Sequence, residues 1–180
     1  PRFKGESVRD TLRKRGLLPA NIVPYCYRPF DTRWLYWEPE TKLLDEKRSD
    51  YFPQVFEGNV TLVTRQKPSR EWSAPQPIHS IGCLDLMDRG ASCFPLYLRS
   101  EEASLLEPTG TRPNLSEAAA AYLAALGASP EDLFHHALAI LHAPAYRSGN
   151  AGALRQDWPR IPLPGWPVDA TSPSRPTRRD

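Results

Sequence analysis

The chain of 180 residues is long enough for one domain or for a domain with a smaller helical appendage. Its 20 prolines are roughly double the usual share of ~5%, which excludes a fold made mostly of long helices or long central strands. The net charge of +2 does not by itself indicate nucleic acid, but basic residues collect in 1–15 and in the last ten residues, and acidic residues collect in 101–133. We expect a basic side compatible with phosphate binding, although charged surfaces also serve solubility alone. No apolar run approaches the ~20 residues of a membrane span and no signal peptide is recognisable, so we expect a cytoplasmic protein.

Short periodic segments alternate with turn-forming residues along the first hundred residues. In chain order they predict a basic helix over 5–16, strands over 22–27 and 33–37 joined by a turn at 29–32, a helix over 40–52, a strand over 59–65, a polar loop over 66–77, and strands over 78–86 and 93–99. Pro24 makes the first of these strands an edge strand, or else it lies at the strand's start. Together the strands predict a small mixed sheet between about residues 21 and 99.

A helical pattern begins after Pro113. Ser116 is a suitable N-cap for a helix that Gly127 ends. Ser129, followed by a proline and two acidic residues, is a second start signal, and the helix that follows has an apolar face and ends at Pro144.

The fold class predicted from these elements is α+β, with a small mixed β-sheet domain followed by a C-terminal helical segment. We divide the chain into a basic helix or linker over 1–20, a β-rich domain over 21–112, a helical spacer over 113–164 and a disordered tail over 165–180 that is rich in proline and arginine.

Motifs for catalysis or cofactor binding are not found. The chain has no glycine-rich strand-to-helix turn for a methyltransferase or dehydrogenase cofactor and no GxxxxGK[ST] sequence for a nucleoside triphosphate. The Asp-Glu-Lys sequence at 45–47 fits half of a nuclease metal site, but only Glu40 lies nearby as a second acid, so a solvated helix face competes with that interpretation. His135 and His142 are two helical turns apart, about 10 Å, too far for one metal ion. We therefore expect no catalytic residue and no metal site.

Four ordered segments carry a family resemblance. Residues 27–36, YRPFDTRWLY, have the pattern YRPFDxRWxY. They are followed by LLDEKR at 43–48, by FPLYL at 94–98, and by a helical stretch over 133–147 with PRIPLP at 159–164. These segments resemble the C-terminal specificity region of single-chain type I (type ISP) restriction-modification enzymes and of related adenine-N6 DNA methyltransferase fusions.

The resemblance implies that the chain recognises a target in double-stranded DNA on behalf of a larger restriction endonuclease and methyltransferase, without catalysis of its own. It also implies that S-adenosylmethionine, ATP and Mg²⁺ belong to the methyltransferase, helicase-like and nuclease domains of the parent polypeptide, so no cofactor is expected in this chain. Residues 1–20 would join the methyltransferase domain.

The YRPFDxRWxY signature is interpreted as structural. Its aromatic residues are expected to form core: Tyr27, Phe30, Trp34 and Tyr36. Asp31 is expected to pair with Arg28 or Arg33, and a buried pair of this kind fixes geometry more than it stabilises. The competing interpretation is that Arg28 or Arg33 contacts a DNA phosphate.

Residues that read a DNA sequence are expected on loops held over a rigid sheet. The best candidates lie together at 65–72: Arg65, Gln66, Lys67, Ser69, Arg70 and Trp72. Arginine can bond guanine bidentately and glutamine adenine, whereas lysine more often meets phosphate and sets the register. His79, Ser80, Asp85 and Arg89 form a second group of candidates. The competing interpretation of this loop is a solvated connection.

Two alternative functions remain open. A structural DNA-clamp or interaction module would brace the methyltransferase against DNA without base readout, and its binding would be salt-sensitive without sequence preference. A small hydrolase would need a deep pocket that gathers histidines and acids, which the scattered histidines of this sequence disfavour.

Overall fold

The structure is a computed structural model that describes residues 5–38, 43–44, 51–68, 71–87, 90–99 and 110–165. Within these ranges the elements are α1 (Gly5–Arg15), β1 (Ile22–Arg28), β2 (Asp31–Tyr36), β3 (Thr61–Thr64), β4 (Gln76–Ile78), β5 (Ile81–Gly82), β6 (Ser92–Pro95), β7 (Tyr97–Arg99), β8 (Thr111–Pro113), α2 (Glu117–Leu126), α3 (Pro130–His142), α4 (Pro144–Gly149) and α5 (Ala151–Leu154). Two short 3-10 helices, Pro19–Asn21 and Phe52–Gln54, lie in the connections. Strands followed by helices confirm the predicted α+β class.

The first sheet has the order β2-β1-β5. β1 pairs antiparallel with β2 and, at Tyr25 and Cys26, parallel with β5. The amide of Trp37 donates to the carbonyl of Asn21, so by the alternation of an antiparallel ladder the amide side of Pro24 faces away from β2. Pro24 precedes the residues that pair with β5. β1 therefore tolerates a proline near its start, although it lies between two strands further along.

The second sheet is antiparallel, in the order β4-β3-β6. Its central strand buries Thr61, Val63 and Thr64, as the predicted strand over 59–65 requires. The main core lies between the first two sheets and consists of Cys26, Val63, Ile78, Cys83, Leu86 and Met87, with Tyr25, Tyr27, Ala91 and Cys93 packed around it. Because both sheets contribute to this core, it fixes the β1–β2 hairpin relative to the β3–β4 pair.

The predicted single sheet is in fact three small sheets, and two predicted strands are interrupted. The segment 78–86 contains the end of β4, the two-residue β5 and a turn over 84–87. The segment 93–99 is divided at Leu96, whose amide bonds the carbonyl of Val60, so that β6 joins the second sheet and β7 pairs with β8. Both segments are largely apolar, and apolar content alone does not reveal where a strand changes partner.

The helical segment begins and ends as its caps predict. The Ser116 side chain accepts from the amide of Ala119, and Gly127 adopts a left-handed conformation with φ of 64° at the end of α2. Ser129 and Asp132 form a capping box at the start of α3. The buried leucines of this part of the fold are Leu123, Leu141 and Leu154.

Several predictions fall largely outside the described residues. Of the helix predicted over 40–52, the structure describes a bend at 43–44 and a turn at Tyr51 that leads into a 3-10 helix. Of the tail predicted over 165–180, only Gly165 is described. The division of the chain at residues 20, 112 and 164 stays a prediction.

Candidate nucleic-acid interface

Two described residues of the loop over 65–72, Gln66 and Trp72, contact the C-terminal helical segment. Gln66 is exposed, and its Nε2 donates to Asp157 Oδ1 at 2.8 Å across 91 residues of sequence. The pKa of Asp157 is held below its ordinary value by this bond first, then by the Trp158 amide and by the positive charges of Lys67 and Arg160. One acidic side chain is therefore surrounded by a glutamine and two cations.

The far end of the loop is fixed by an aromatic contact and a histidine. The guanidinium of Arg147 lies over the Trp72 ring, 5.8 Å from its centroid. His142 Nε2 donates to the carbonyl of Pro75 at 2.8 Å, which holds the loop against α3. We call Gln66, Lys67, Trp72, Arg147 and Arg160 the loop cluster. It combines three cations, an aromatic ring and an amide on one region of the surface.

Arg65, at the base of the loop, points elsewhere. It is half-buried, and its Nη1 donates to the carbonyl of Met87 at 3.5 Å, toward the turn that follows β5. Ser69 and Arg70 lie outside the described residues, as does Arg89. Of the residues predicted to read DNA in this loop, the structure therefore places Gln66, Lys67 and Trp72 in the loop cluster.

His79 lies at the opposite end of β4 from the loop. The antiparallel register places Ile78 beside Thr61 and Gln76 beside Val63, so the three residues of β4 separate His79 from the loop by about 10 Å. Its Nδ1 donates to the carbonyl of Asn59 at 3.0 Å. His79 and Ser80 instead border a cleft of about 440 Å³ that the β1–β2 hairpin closes from the other side.

The arginines of the signature flank a tyrosine at the end of that hairpin. The guanidinium groups of Arg28 and Arg33 lie over the Tyr27 ring, at 5.2 and 4.1 Å from its centroid. Arg33 donates to both carboxylate oxygens of Asp31, with Nη2 at 2.8 Å, and this bond lowers the pKa of Asp31. The predicted ion pair thus forms with Arg33, but it is exposed rather than buried, so water screens it.

Two of the four signature aromatics are not core residues, contrary to the prediction. Phe30 is fully exposed at 104% and Trp34 is exposed at 74%. Phe30 occupies the hairpin turn, beyond the last paired residues, and Trp34 lies on β2, an edge strand. The prediction holds for Tyr27, which packs beside the core. Tyr36 is half-buried and lies outside the core cluster.

Tyr36 connects the hairpin to α1. Its hydroxyl accepts from Arg15 Nη2 at 3.3 Å and from the amide of Leu18 at 3.2 Å. The same guanidinium pairs with Glu38, a carboxylate that is fully buried, and this pairing raises the pKa of Arg15. This charge pair anchors the basic helix. Removing either side chain would leave the charge of the other uncompensated.

A family model described as the type ISP C-terminal specificity domain matches residues 4–172. The chain belongs to this family. The match covers the hairpin signature, the loop cluster and the helical segment alike. No curated protein matches the chain.

Two solved structures place the type ISP specificity domain in a larger context. A cryo-EM structure of the DrdV–DNA complex is similar with a TM-score of 0.64 and 27% identity, over 89% of this chain and 16% of that one. The ATP-dependent type ISP restriction-modification enzyme LlaBIII bound to DNA is similar in fold, with a TM-score of 0.57 and 16% identity, over 87% of this chain and 10% of that one. The specificity domain thus spans about a sixth or less of either chain.

Within the described ranges, the specificity domain shows no group of three or more histidine, cysteine or acidic side chains that could hold a metal ion. Three of its four histidines donate to backbone carbonyls instead: His79, His136 and His142. The Asp-Glu-Lys sequence at 45–47 lies outside the described residues. The described helices reach at most 13 residues, and none of them could span a membrane.

Sequence reasoning did not identify the helical side of the loop cluster. In the sequence, Arg147 belongs to the helical stretch over 133–147 and Arg160 to the PRIPLP segment. Their proximity to Gln66 and Trp72 depends on a contact between segments about 90 residues apart, for which the local sequence carries no signal.

Proposed function

We propose that this type ISP specificity domain binds double-stranded DNA and recognises its target sequence, with the loop cluster as a principal contact surface. The observation that carries the proposal is that Gln66 bonds Asp157, whose carboxylate also feels the charges of Lys67 and Arg160, while Arg147 lies over Trp72 of the same loop. A cationic surface with an aromatic ring and an amide suits a phosphate backbone with base edges beside it. The similarity to a domain of the DrdV–DNA complex supports this interpretation.

Each member of the loop cluster has a role that its chemistry suggests. Lys67, Arg147 and Arg160 would contact phosphates and set the register, and Gln66 would bond the edge of an adenine. Gln66 must leave Asp157 to do so. Phosphates that approach the three cations would repel the Asp157 carboxylate, which favours that exchange.

The remaining candidates keep the roles that the sequence suggests. Arg65, Ser69 and Arg70 belong to the same loop, and His79, Arg28 and Arg33 would form a second contact region at the hairpin and its cleft. Because the chain spans only 16% of the DrdV chain, we infer that it is a non-catalytic part of a larger enzyme. The methyltransferase, helicase-like and nuclease domains of that enzyme would bind S-adenosylmethionine, ATP and Mg²⁺ and contact this domain.

A DNA clamp without base readout is the alternative function, and one observation favours it. Gln66 and Arg65, the two described residues best suited to bond bases, both make contacts within the chain. If those contacts persist on DNA, the loop cluster would contact phosphates alone, and binding would show no sequence preference.

Selection of the purified chain on a random duplex library, first at low salt and then at physiological salt, tests the proposal. We expect an enriched motif that survives the higher salt. Binding that disappears as salt rises, without any enriched motif, would support the clamp instead. A chain that binds no duplex at low salt would contradict both functions.

Paired substitutions then separate base contacts from phosphate contacts. Lys67→Ala is expected to weaken binding equally on the selected and on an unrelated duplex and to lower the slope of log K against log salt by about 1. Gln66→Ala is expected to cost ~1–3 kcal/mol on the selected duplex only. Lys14→Ala on α1 and Gln156→Ala after α5 remove the same groups from exposed positions outside the loop cluster and serve as controls.

A further inference from the structure

The β1–β2 hairpin turns at Pro29 and Phe30, and the backbone of Phe30 is strained. Its φ of 66° is the one positive φ of a non-glycine residue within the described ranges. Proline followed by a residue of positive φ is the pattern of a turn that ordinarily has glycine or asparagine at the second position. A bulky aromatic residue in this conformation lowers the stability of the fold.

Packing does not explain why a phenylalanine occupies this position. The side chain is exposed at 104%, so it gains nothing from burial on folding. Trp34, four residues later on β2, is exposed at 74%. A strained backbone that presents an exposed aromatic ring is unfavourable for folding alone, which directs the explanation to a binding partner.

The charges around the ring indicate the chemistry of that partner. Arg28 and Arg33 are both exposed, and their guanidinium groups lie over the ring of Tyr27, near the end of the strand that leads into the turn. Asp31 offsets one of these charges, which leaves the turn with a net charge of +1. Beside the ring lies the cleft of about 440 Å³, bordered by Gln76, His79 and Ser80, so there is room and hydrogen-bonding capacity next to it.

We propose that Phe30 is an aromatic wedge that inserts between bases of the bound DNA, with Arg28 and Arg33 against the flanking phosphates. The inference rests on the proposed function, since it requires that this domain binds a duplex. Apolar side chains that enter a base step partially unstack it and bend the duplex, and stacking on a ring tolerates any base. Phe30 would therefore contribute affinity and DNA distortion, while the loop cluster contributes sequence preference.

Phe30→Asn is expected to change the stability of the fold and the affinity for DNA in opposite directions. Asparagine adopts a positive φ more readily than phenylalanine, so the variant is expected to unfold at a higher temperature than the parent chain. The same change removes a base-stacking ring and is expected to weaken binding to the selected duplex roughly tenfold. Phe30→Tyr keeps the ring and is expected to bind as the parent chain does.

Duplexes with 2-aminopurine placed at successive positions of the selected site report base unstacking by a rise in fluorescence. With the parent chain and with Phe30→Tyr, we expect the 2-aminopurine fluorescence to rise at one base step. With Phe30→Asn, we expect it to rise at none. Leu126→Asn, which removes another exposed apolar side chain at the end of α2, is expected to leave affinity and fluorescence unchanged.

The possible outcomes separate this inference from the function on which it rests. If the parent chain binds its duplex and Phe30→Asn binds equally well, the wedge is wrong while DNA recognition stands, and Phe30 then belongs to a protein contact. If affinity falls but no step brightens with the parent chain, Phe30 touches DNA without inserting, which also overturns the wedge. If the parent chain binds no duplex at all, the proposed function itself fails.

Discussion

Asn59 connects three segments of the fold through a single buried side chain. Its Nδ2 donates to the carbonyls of Gln54 and Tyr97 at 2.7 and 2.9 Å, and its Oδ1 accepts from the amides of Val60 and Tyr97 at 3.0 and 3.1 Å. The residue is 3% exposed. The side chain therefore provides hydrogen-bond partners for backbone groups that are not paired within a sheet.

We predict that Asn59→Ala destabilises the protein by roughly 3 kcal/mol, because several backbone groups lose their partners in a site that is closed to water. Urea unfolding measures the loss. Asn114→Ala is the matched control: Asn114 is exposed and its side-chain Nδ2 donates to the carbonyl of Pro95, so about 1 kcal/mol or less is expected. Equal losses in the two variants would contradict the structural role of Asn59.

Single residues show where sequence reasoning succeeds and where it fails. The expected pairing of Asp31 with Arg28 or Arg33 forms with Arg33, two residues away on the same strand, although the pair is exposed and not buried. The same signature wrongly predicted burial of Phe30 and Trp34, since aromatic character indicates core only when a neighbouring layer covers that face. Among the described residues, no layer covers the hairpin turn, and only the assembled fold reveals this.

The capping box at the start of α3 is an element-scale feature, and it lies where the sequence predicted the start of a helix. The Ser129 amide and hydroxyl both donate to Asp132 Oδ2 at 2.8 Å, and the amide of Asp132 donates back to Ser129. The two donations from Ser129 lower the pKa of Asp132 below its ordinary value. Start signals of this kind are legible in sequence because their partners lie within one helical turn.

We predict an acid-dependent loss of stability from this box. A carboxylate with a depressed folded pKa contributes fully above its ordinary value of about 4 and loses that contribution as pH falls through the lower folded value. Asp132→Asn should therefore flatten the decline of unfolding free energy between about pH 4 and pH 2. Ser129→Ala should flatten it less, because the amide donor remains. An unchanged decline in Asp132→Asn would show that Asp132 titrates normally.

Strand boundaries were harder to predict from the sequence than helix starts. The strand predicted over 93–99 is largely apolar and was expected to be continuous, yet it divides at Leu96 between two sheets. The predicted strand over 78–86 likewise divides around the bend after Ile78. A strand ends where its partner ends, and the partners here are distant in sequence.

At the scale of the whole molecule, the sheets and helices meet through a few polar contacts. The Tyr97 hydroxyl of β7 donates to Glu131 Oε1 of α3 at 2.5 Å. Burial, together with this carboxylate, raises the pKa of Tyr97 to about 12, and the hydrogen bond lowers the pKa of Glu131. The contact joins the third sheet to the helical segment.

We predict that Tyr97→Phe destabilises the protein by about 0.5–1.5 kcal/mol at neutral pH. The lowered pKa of Glu131 means that the contribution declines as pH falls from the ordinary value of about 4.3 through the lower folded value, and the raised pKa of Tyr97 means that it declines as pH rises from about 10 through about 12. Unfolding measured from pH 3 to pH 11 should thus show the full difference only between about pH 4.3 and pH 10.

Tyr146→Phe is the matched control for that prediction. The Tyr146 hydroxyl donates to the carbonyl of Arg160 at 2.6 Å, an acceptor that does not titrate. Its stability difference should persist in acid, whereas that of Tyr97→Phe should vanish. Identical acid profiles for the two variants would mean that Glu131 is not the partner in solution.

The sequence by itself determined the family, the α+β class, the helix caps and the presence of a hairpin at residues 22–36. These depend on interactions within a few residues of each other, or on a pattern of motifs along the chain. Only the tertiary structure decided that Gln66 meets Asp157, that Arg147 covers Trp72 and that Phe30 is left exposed on a strained turn. The physical reason is that such placements arise from packing between segments distant in sequence, where the local pattern fixes neither the partner nor the face that remains uncovered.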